Sequence, residues 1–194
     1  MSVKKIVLLI TLVTNICIFS QTEKGKFLIG GSTNFGSSYL SEGNDGLTTR
    51  SSNLVFSANA GYSIIDNLFV GLNIQFLSNN FKVDFLNSEN KTTETTFAPF
   101  LKYYFLKEKF RPFALIRYGF GKSTYKNLSS NNAYESNSDV TKLNLGGGFS
   151  YFFTDYLSLE LEAFYQRDTN STTIQSDDFK FYGFGTSLGF SIFL

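Results

Sequence analysis

Residues 53–78 read NLVFSANAGYSIIDNLFVGLNIQFLS, and this stretch decides the fold. Its first half places Leu54, Phe56, Ala58, Ala60 and Tyr62 at every second position, with Asn53, Ser57, Asn59 and Gly61 between them. After Ile65-Asp66-Asn67 the alternation resumes, with Leu68, Val70, Leu72, Ile74 and Phe76 set against Gly71, Asn73 and Gln75. A period of two marks a strand whose two faces meet unlike surroundings. Two such runs on either side of a short link predict antiparallel neighbours.

Working outward, the same unit recurs along the chain. One strand is expected before it, over Lys26 to Ser37, and five after it: Thr93 to Phe105, Arg111 to Gly121, Thr141 to Tyr151, Leu157 to Tyr165, and Phe179 to Leu194. With Asn53 to Ile64 and Leu68 to Ser78 that makes eight. Pro99 falls inside the fourth and predicts a bulge or irregular pairing, because proline has no N–H to donate to a ladder. Short links (Ile65 to Asn67, Leu106 to Phe110, Phe152 to Tyr156) alternate strictly with long polar ones (Ser38 to Ser52, Asn79 to Thr92, Lys122 to Val140, Gln166 to Asp178). That alternation is expected of an outer-membrane barrel with periplasmic turns and extracellular loops.

Volume decides which face points in. Eight strands enclose too little space for every large side chain of the apolar face, so most of them must point outward. An outward apolar band is intolerable in water and required in lipid, where a closed barrel pairs its backbone without an exposed edge. Small and polar residues are then expected inside. Aromatics beside the short turns, including Tyr103, Tyr104, Phe105, Phe110, Tyr151, Phe152, Phe153 and Tyr156, are expected to form the periplasmic girdle. The expected architecture is an all-β, eight-stranded antiparallel up-and-down transmembrane β-barrel.

Composition agrees with this reading. Aromatic residues make up 18% of the 194-residue chain, Pro numbers 2, and mean hydropathy is only -0.05. One long apolar run occurs, at the N-terminus: Lys4 and Lys5 precede an apolar core from Ile6 to Phe19, with Ser20 before Gln21. This is the layout of a secretory signal peptide, and its core is short for a spanning helix. Residues 1–20 are therefore expected to be removed, leaving 21–194 as the barrel domain. Cys17 is not expected to carry lipid, since Thr14-Asn15-Ile16 lacks the small residues of a lipoprotein cleavage box. Loss of Lys4 and Lys5 turns the formal charge from +1 to -1, which gives nucleic acid no attraction. The single Cys leaves with the signal peptide, so no disulfide is expected.

The chain resembles the OmpA/OmpX-like family of small outer-membrane β-barrels over essentially this whole mature length. The resemblance lies in strand-to-turn phrases: residues 97–105 (FAPFLKYYF), 111–113 (RPF) and 151–157 (YFFTDYL). The C-terminus, SLGFSIFL over residues 187–194, is similar to the terminal strand signal of such barrels, carried here by Ser187, Gly189, Ile192 and Leu194. Family members usually end in an aromatic residue, whereas here Phe193 is penultimate. The resemblance implies recognition by the barrel-assembly machinery and a bacterial outer-membrane location, with outer-membrane lipid and lipopolysaccharide as surroundings. A monomer is expected.

Chemistry is constrained by what the chain lacks. It contains no His, which the phospholipase, deacylase and omptin-like barrels use as a base. No catalytic residue, metal site or cofactor is expected. Asp177-Asp178 reads as a solvated loop, no run has calcium-loop spacing, and Gly146-Gly147-Gly148 lies in a strand with no helix after it. Asn-X-Ser/Thr triplets at Asn90, Asn127 and Asn170 read as polar loop composition. Four charged residues fall on the small-residue faces of their strands: Lys102, Arg117, Glu160 and Glu162. Buried carboxylates need cationic partners, so these four are expected to form an ion-pair network inside the lumen. The expected function is a non-enzymatic barrel serving membrane integrity or surface interaction through four long extracellular loops, with no ligand legible. The alternative is a narrow pore for ions or small solutes. A lipid-modifying enzyme is disfavoured by the missing His.

Overall fold

The computed structural model describes residues 22–42, 47–83, 88–128, 133–172 and 179–194. Within them the chain forms eight strands: β1 (Phe27–Glu42), β2 (Leu47–Ile65), β3 (Leu68–Val83), β4 (Ser88–Tyr104), β5 (Phe110–Asn127), β6 (Tyr134–Phe152), β7 (Leu157–Thr172) and β8 (Phe179–Phe193). Each pairs antiparallel with the next, and β8 returns to β1 to close the barrel.

The short turns owe their tightness to local chemistry. Between β2 and β3 the register steps from Ile65–Leu68, so Asp66 and Asn67 alone make the bend, and a register shift sits at Ser63/Ile65. Asn67 takes the left-handed conformation (φ 67°), which its short polar side chain tolerates. Pro99 does not produce a bulge. Rungs to β5 stop at Phe97–Phe120 and resume at Phe100–Arg117, skipping Ala98 and Pro99 while the register stays the same. Proline's missing N–H costs rungs without adding a residue.

Strand faces follow the sequence alternation. Leu72, Phe56, Phe120 and Leu161 are more than half exposed, while their neighbours Asn73, Ser57 and Glu162 are buried. The outward apolar residues run from Leu68 to Phe76 on β3, from Phe110 to Phe120 on β5 and from Leu157 to Tyr165 on β7. Those spans match the 9–11 tilted residues that cross a bilayer. Below them lie outward aromatic pairs, Tyr103–Phe105 at 5.2 Å and Tyr151–Phe153 at 5.0 Å between ring centroids.

Two expectations need correcting. The long polar links are largely strand: β1 and β2 stay paired to Glu42–Leu47, and β3 and β4 to Val83–Ser88. Strands of 15 to 19 residues exceed what the bilayer needs, so their upper parts stand beyond it as a collar of paired strands. With water on both sides there, no apolar alternation announces them. The remaining connections, 43–46, 84–87, 129–132 and 173–178, lie outside the described residues, as does Asp177-Asp178.

The second correction concerns the interior. Tyr104 and Phe152 point into the lumen, 0% and 1% exposed, instead of joining the girdle. They belong to a buried cluster with Leu28, Phe69, Phe100, Phe113, Leu115 and Phe193. Glycines make room for one of these rings: a Cβ on Gly71 would lie 2.6 Å, and one on Gly61 3.0 Å, from Phe100 Cζ.

Candidate functional site

The lumen is built in layers. At the short-turn end, Arg111 donates from Nε to the Glu108 carbonyl (2.6 Å), from Nη2 to the Lys107 carbonyl (3.0 Å) and from Nη1 to Thr22 Oγ1 (2.9 Å). Thr22 Oγ1 donates to Asn67 Oδ1 (2.5 Å). The Arg111 guanidinium also lies 4.2 Å from the Phe152 ring centroid. This closes the mouth with the residues just before β1, pinned by the first and second turns.

Above the mouth sits the aromatic layer. Tyr104 is its centre, with Phe69, Phe113, Phe152 and Phe193 packed around its ring at centroid distances of 5.9 to 6.3 Å. Its hydroxyl points upward and donates to Glu160 Oε1 at 2.7 Å. That bond joins the apolar layer to the charged one.

The charged layer contains the four side chains singled out in the sequence, arranged as two pairs. Lys102 Nζ meets Glu160 Oε2 at 2.6 Å, and its ammonium also lies 4.2 Å from the Phe113 ring centroid. Arg117 grips Glu162 with both Nη atoms, at 2.7 and 2.8 Å, and Nη1 donates to Asn144 Oδ1 at 3.2 Å. Such a fork matches the planar carboxylate geometrically as well as electrically. Ser187 Oγ donates to Glu162 Oε2 at 3.4 Å, which ties β8 to the pair. The other residues of the terminal strand phrase sit on β8 or at its end: Gly189 lines the lumen, while Ile192 and Leu194 lie on its outward face.

A third charged cluster was missed. Lys142 Nζ lies 2.5 Å from Glu94 Oε1 and 3.6 Å from Asp168 Oδ2. Glu94 and Lys142 share the parity of Lys102 and Asn144 within their strands, so extending the same face would have found them. Asp168 falls in what reads as a loop, and Arg111 and Thr22 act through turns for which alternation gives no signal.

The free space splits accordingly. Between the charged pairs lies a cavity of about 20 Å³, room for one water molecule. Above Lys142 a vestibule of about 310 Å³ is lined by Asn34, Asn53, Gln75, Gln166 and Asp168 among others. Among the described residues, the lumen is thus sealed below, with its larger free space above.

A closed eight-stranded barrel with an outward apolar belt and a filled core defines a small transmembrane β-barrel. The chain belongs to the outer membrane protein beta-barrel domain family, which it matches over residues 6–191, and it is an outer-membrane protein. Among solved structures it is similar to Neisserial surface protein A, NspA (15% identity, TM-score 0.49, 87% of this chain and 97% of that one). It is also similar to Ail, the attachment invasion locus protein of Yersinia pestis (16%, 0.44, 88% and 99%), and to the N-terminal barrel domain of Pseudomonas aeruginosa OprF (12%, 0.44, 88% and 98%). No curated protein matches the chain.

Proposed function

We propose that the protein is a non-conducting, non-enzymatic barrel that contributes to outer-membrane integrity and presents a collar of paired strands at the cell surface. The seal across the lumen carries this reading. From Arg111 through Tyr104 to the two ion pairs, side chains fill the cross-section, and the space left between the pairs holds about one water. A hydrated ion would have to break charge-assisted hydrogen bonds at each layer, which argues against a pore. The absence of His among the 194 residues removes the base used by hydrolytic barrels. Lipid and lipopolysaccharide surround the apolar belt in this reading. The barrel-assembly machinery reads Ser187, Gly189, Ile192 and Leu194 during insertion.

Planar-bilayer recording tests it. The wild-type protein is expected to give no steady conductance. The double variant Tyr104→Ala/Arg111→Ala, which empties the mouth and the aromatic layer, is expected to open one. Steady wild-type channels would favour the pore instead.

A further inference from the structure

Beyond the bilayer, water reaches both faces of the collar, so lipid no longer sorts side chains between them. The tops of β3, β4, β5 and β6 are sorted nevertheless. Charges stand outside: the rungs Lys82–Glu89, Lys122–Asp139 and Lys126–Glu135 each join opposite signs on the parity that faces lipid lower down. Lys126 Nζ lies 2.9 Å from Glu135 Oε2. Aromatic rings stand inside. One inward rung runs Phe81–Asn90–Asn127–Tyr134 across the four strands, and the next one down includes Thr92, Tyr125 and Ser136. Among the described residues above Glu94, no inward position of these strands carries a charge.

The two rungs form one surface. Tyr125 and Tyr134 lie 5.8 Å apart between ring centroids, and the Tyr125 hydroxyl donates to Asn90 Oδ1 at 2.7 Å, which fastens ring to amide. Phe81 is 41% and Tyr134 55% exposed although both are on the lumen parity, so the protein's own packing does not cover them. Three strand spacings separate these two rings, about 14 Å along the wall. Exposed aromatic surface of that extent marks an interaction site more often than scattered single side chains do. Rigid rings interleaved with small amides and hydroxyls combine contact area with adaptable hydrogen bonding.

The chemistry of the wall selects its occupant. Aromatic faces carry negative π density, which attracts the weakly positive C–H groups on the face of a sugar ring. Planar amides and hydroxyls offer donor and acceptor side by side, as neighbouring sugar hydroxyls require. A charged ligand finds no counter-ion on this face, because the charges are on the other. A folded domain is too large, since eight strands enclose room for one small ligand.

We propose that the inner wall of the collar, from Phe81 to Tyr134, binds a short uncharged oligosaccharide, with sugar faces against Phe81, Tyr125 and Tyr134 and sugar hydroxyls on the amides between them. The wall is turned away from the lipid, so the sugar comes from the medium. This assignment deepens the reading of the collar as the end displayed at the cell surface and rests on it.

Saturation-transfer difference NMR on the protein in lipid nanodiscs tests the site with three neutral probes, maltotriose, cellotriose and triacetylchitotriose, and with sialyllactose and a Gly-Ser peptide as charged-sugar and peptide probes. At least one neutral trisaccharide is expected to bind saturably. Tyr125→Leu and Tyr134→Leu, which keep bulk but lose the ring face, are each expected to weaken it about tenfold. Lys82→Ala on the outer face is expected to leave it unchanged. Heat-modifiable electrophoretic mobility identifies the variants that keep a closed barrel. The proposal is overturned if no neutral trisaccharide saturates, if sialyllactose or the peptide binds as tightly, or if leucine variants with closed barrels bind like wild type. Labelling of Lys91→Cys on whole cells by an impermeant maleimide reports separately whether the collar is at the surface, so a missing sugar site and a misplaced collar are told apart.

Discussion

Replacing Arg117 with alanine removes two charge-assisted hydrogen bonds to Glu162 and one to Asn144. It leaves a carboxylate whose side chain is only 7% exposed, supported by Ser187 Oγ at 3.4 Å. Breaking a buried pair from one side costs about 3–5 kcal/mol, since the uncompensated charge stays behind. Arg117 itself is 16% exposed, so water reaches the vacated space and the loss belongs at the lower end, about 3 kcal/mol. Protonation-mimicking Glu162→Gln added to Arg117→Ala removes the orphan charge and should recover most of the loss. Reversible urea unfolding in lipid vesicles, followed by far-UV circular dichroism, measures all four corners of the cycle. If Arg117→Ala costs under about 1 kcal/mol and the two changes are additive, the pair does not stabilise the barrel and the energetic reading of the lumen is wrong.

Leu72, 57% exposed on the outer face, should lose about 2–4 kcal/mol as arginine in the same assay, whereas Gln75→Arg, facing the vestibule, should lose under about 1; equal losses would reverse the face assignment. Gly71→Val drives a side chain into Phe100 and the Ala60 carbonyl and should cost more than about 3 kcal/mol, with Phe100→Ala recovering part of it if that ring is the obstacle. In the first turn, the Lys24 backbone N–H donates to Asp66 Oδ1 at 3.0 Å, and this bond, followed by Lys107, holds the carboxyl below its ordinary 3.8. Its contribution is present above that value and disappears as pH falls through the lower folded one, so Lys24 amide protection should collapse only below about pH 3.8. Protection lost already at pH 5 would exclude the bond. For the exported protein, N-terminal sequencing is expected to begin at or near Gln21, and recovery of Lys4 and Lys5 would contradict cleavage.

Legibility in the sequence followed the environment of each face. From Leu68 to Phe76 one side meets lipid and the other the lumen, so alternation placed the strand, the short link before it gave the antiparallel direction, and the lumen's small volume gave the outward face. The same contrast put Lys102, Arg117, Glu160 and Glu162 on inward positions. Where the contrast vanishes, the reading failed: Asn79 to Val83 and Thr169 to Thr172 have water on both sides and read as loop, although their backbones stay paired. The aromatic layer was hidden for the opposite reason. At Tyr103-Tyr104-Phe105 both faces are aromatic: the parity that turns Lys102 inward turns Tyr104 inward as well, and only its place beside a short turn read it as girdle.

The layering also explains why an apolar plug and a charged network share one narrow lumen. Ion pairs alone would leave each carboxylate with unfilled acceptor sites, and rings alone would leave the lumenal face without cross-links between distant strands. Tyr104 resolves both demands, because its ring packs with Phe69, Phe113, Phe152 and Phe193 while its hydroxyl fills an oxygen of Glu160. The pairs themselves join β4 to β7 and β5 to β7, strands that share no ladder, and therefore brace the barrel across part of its lumen. Bracing of that kind fixes the lower half as a rigid cylinder. The upper β1–β8 edges, whose rungs end at Thr33–Leu188, carry no such cross-lumen ion pair among the described residues.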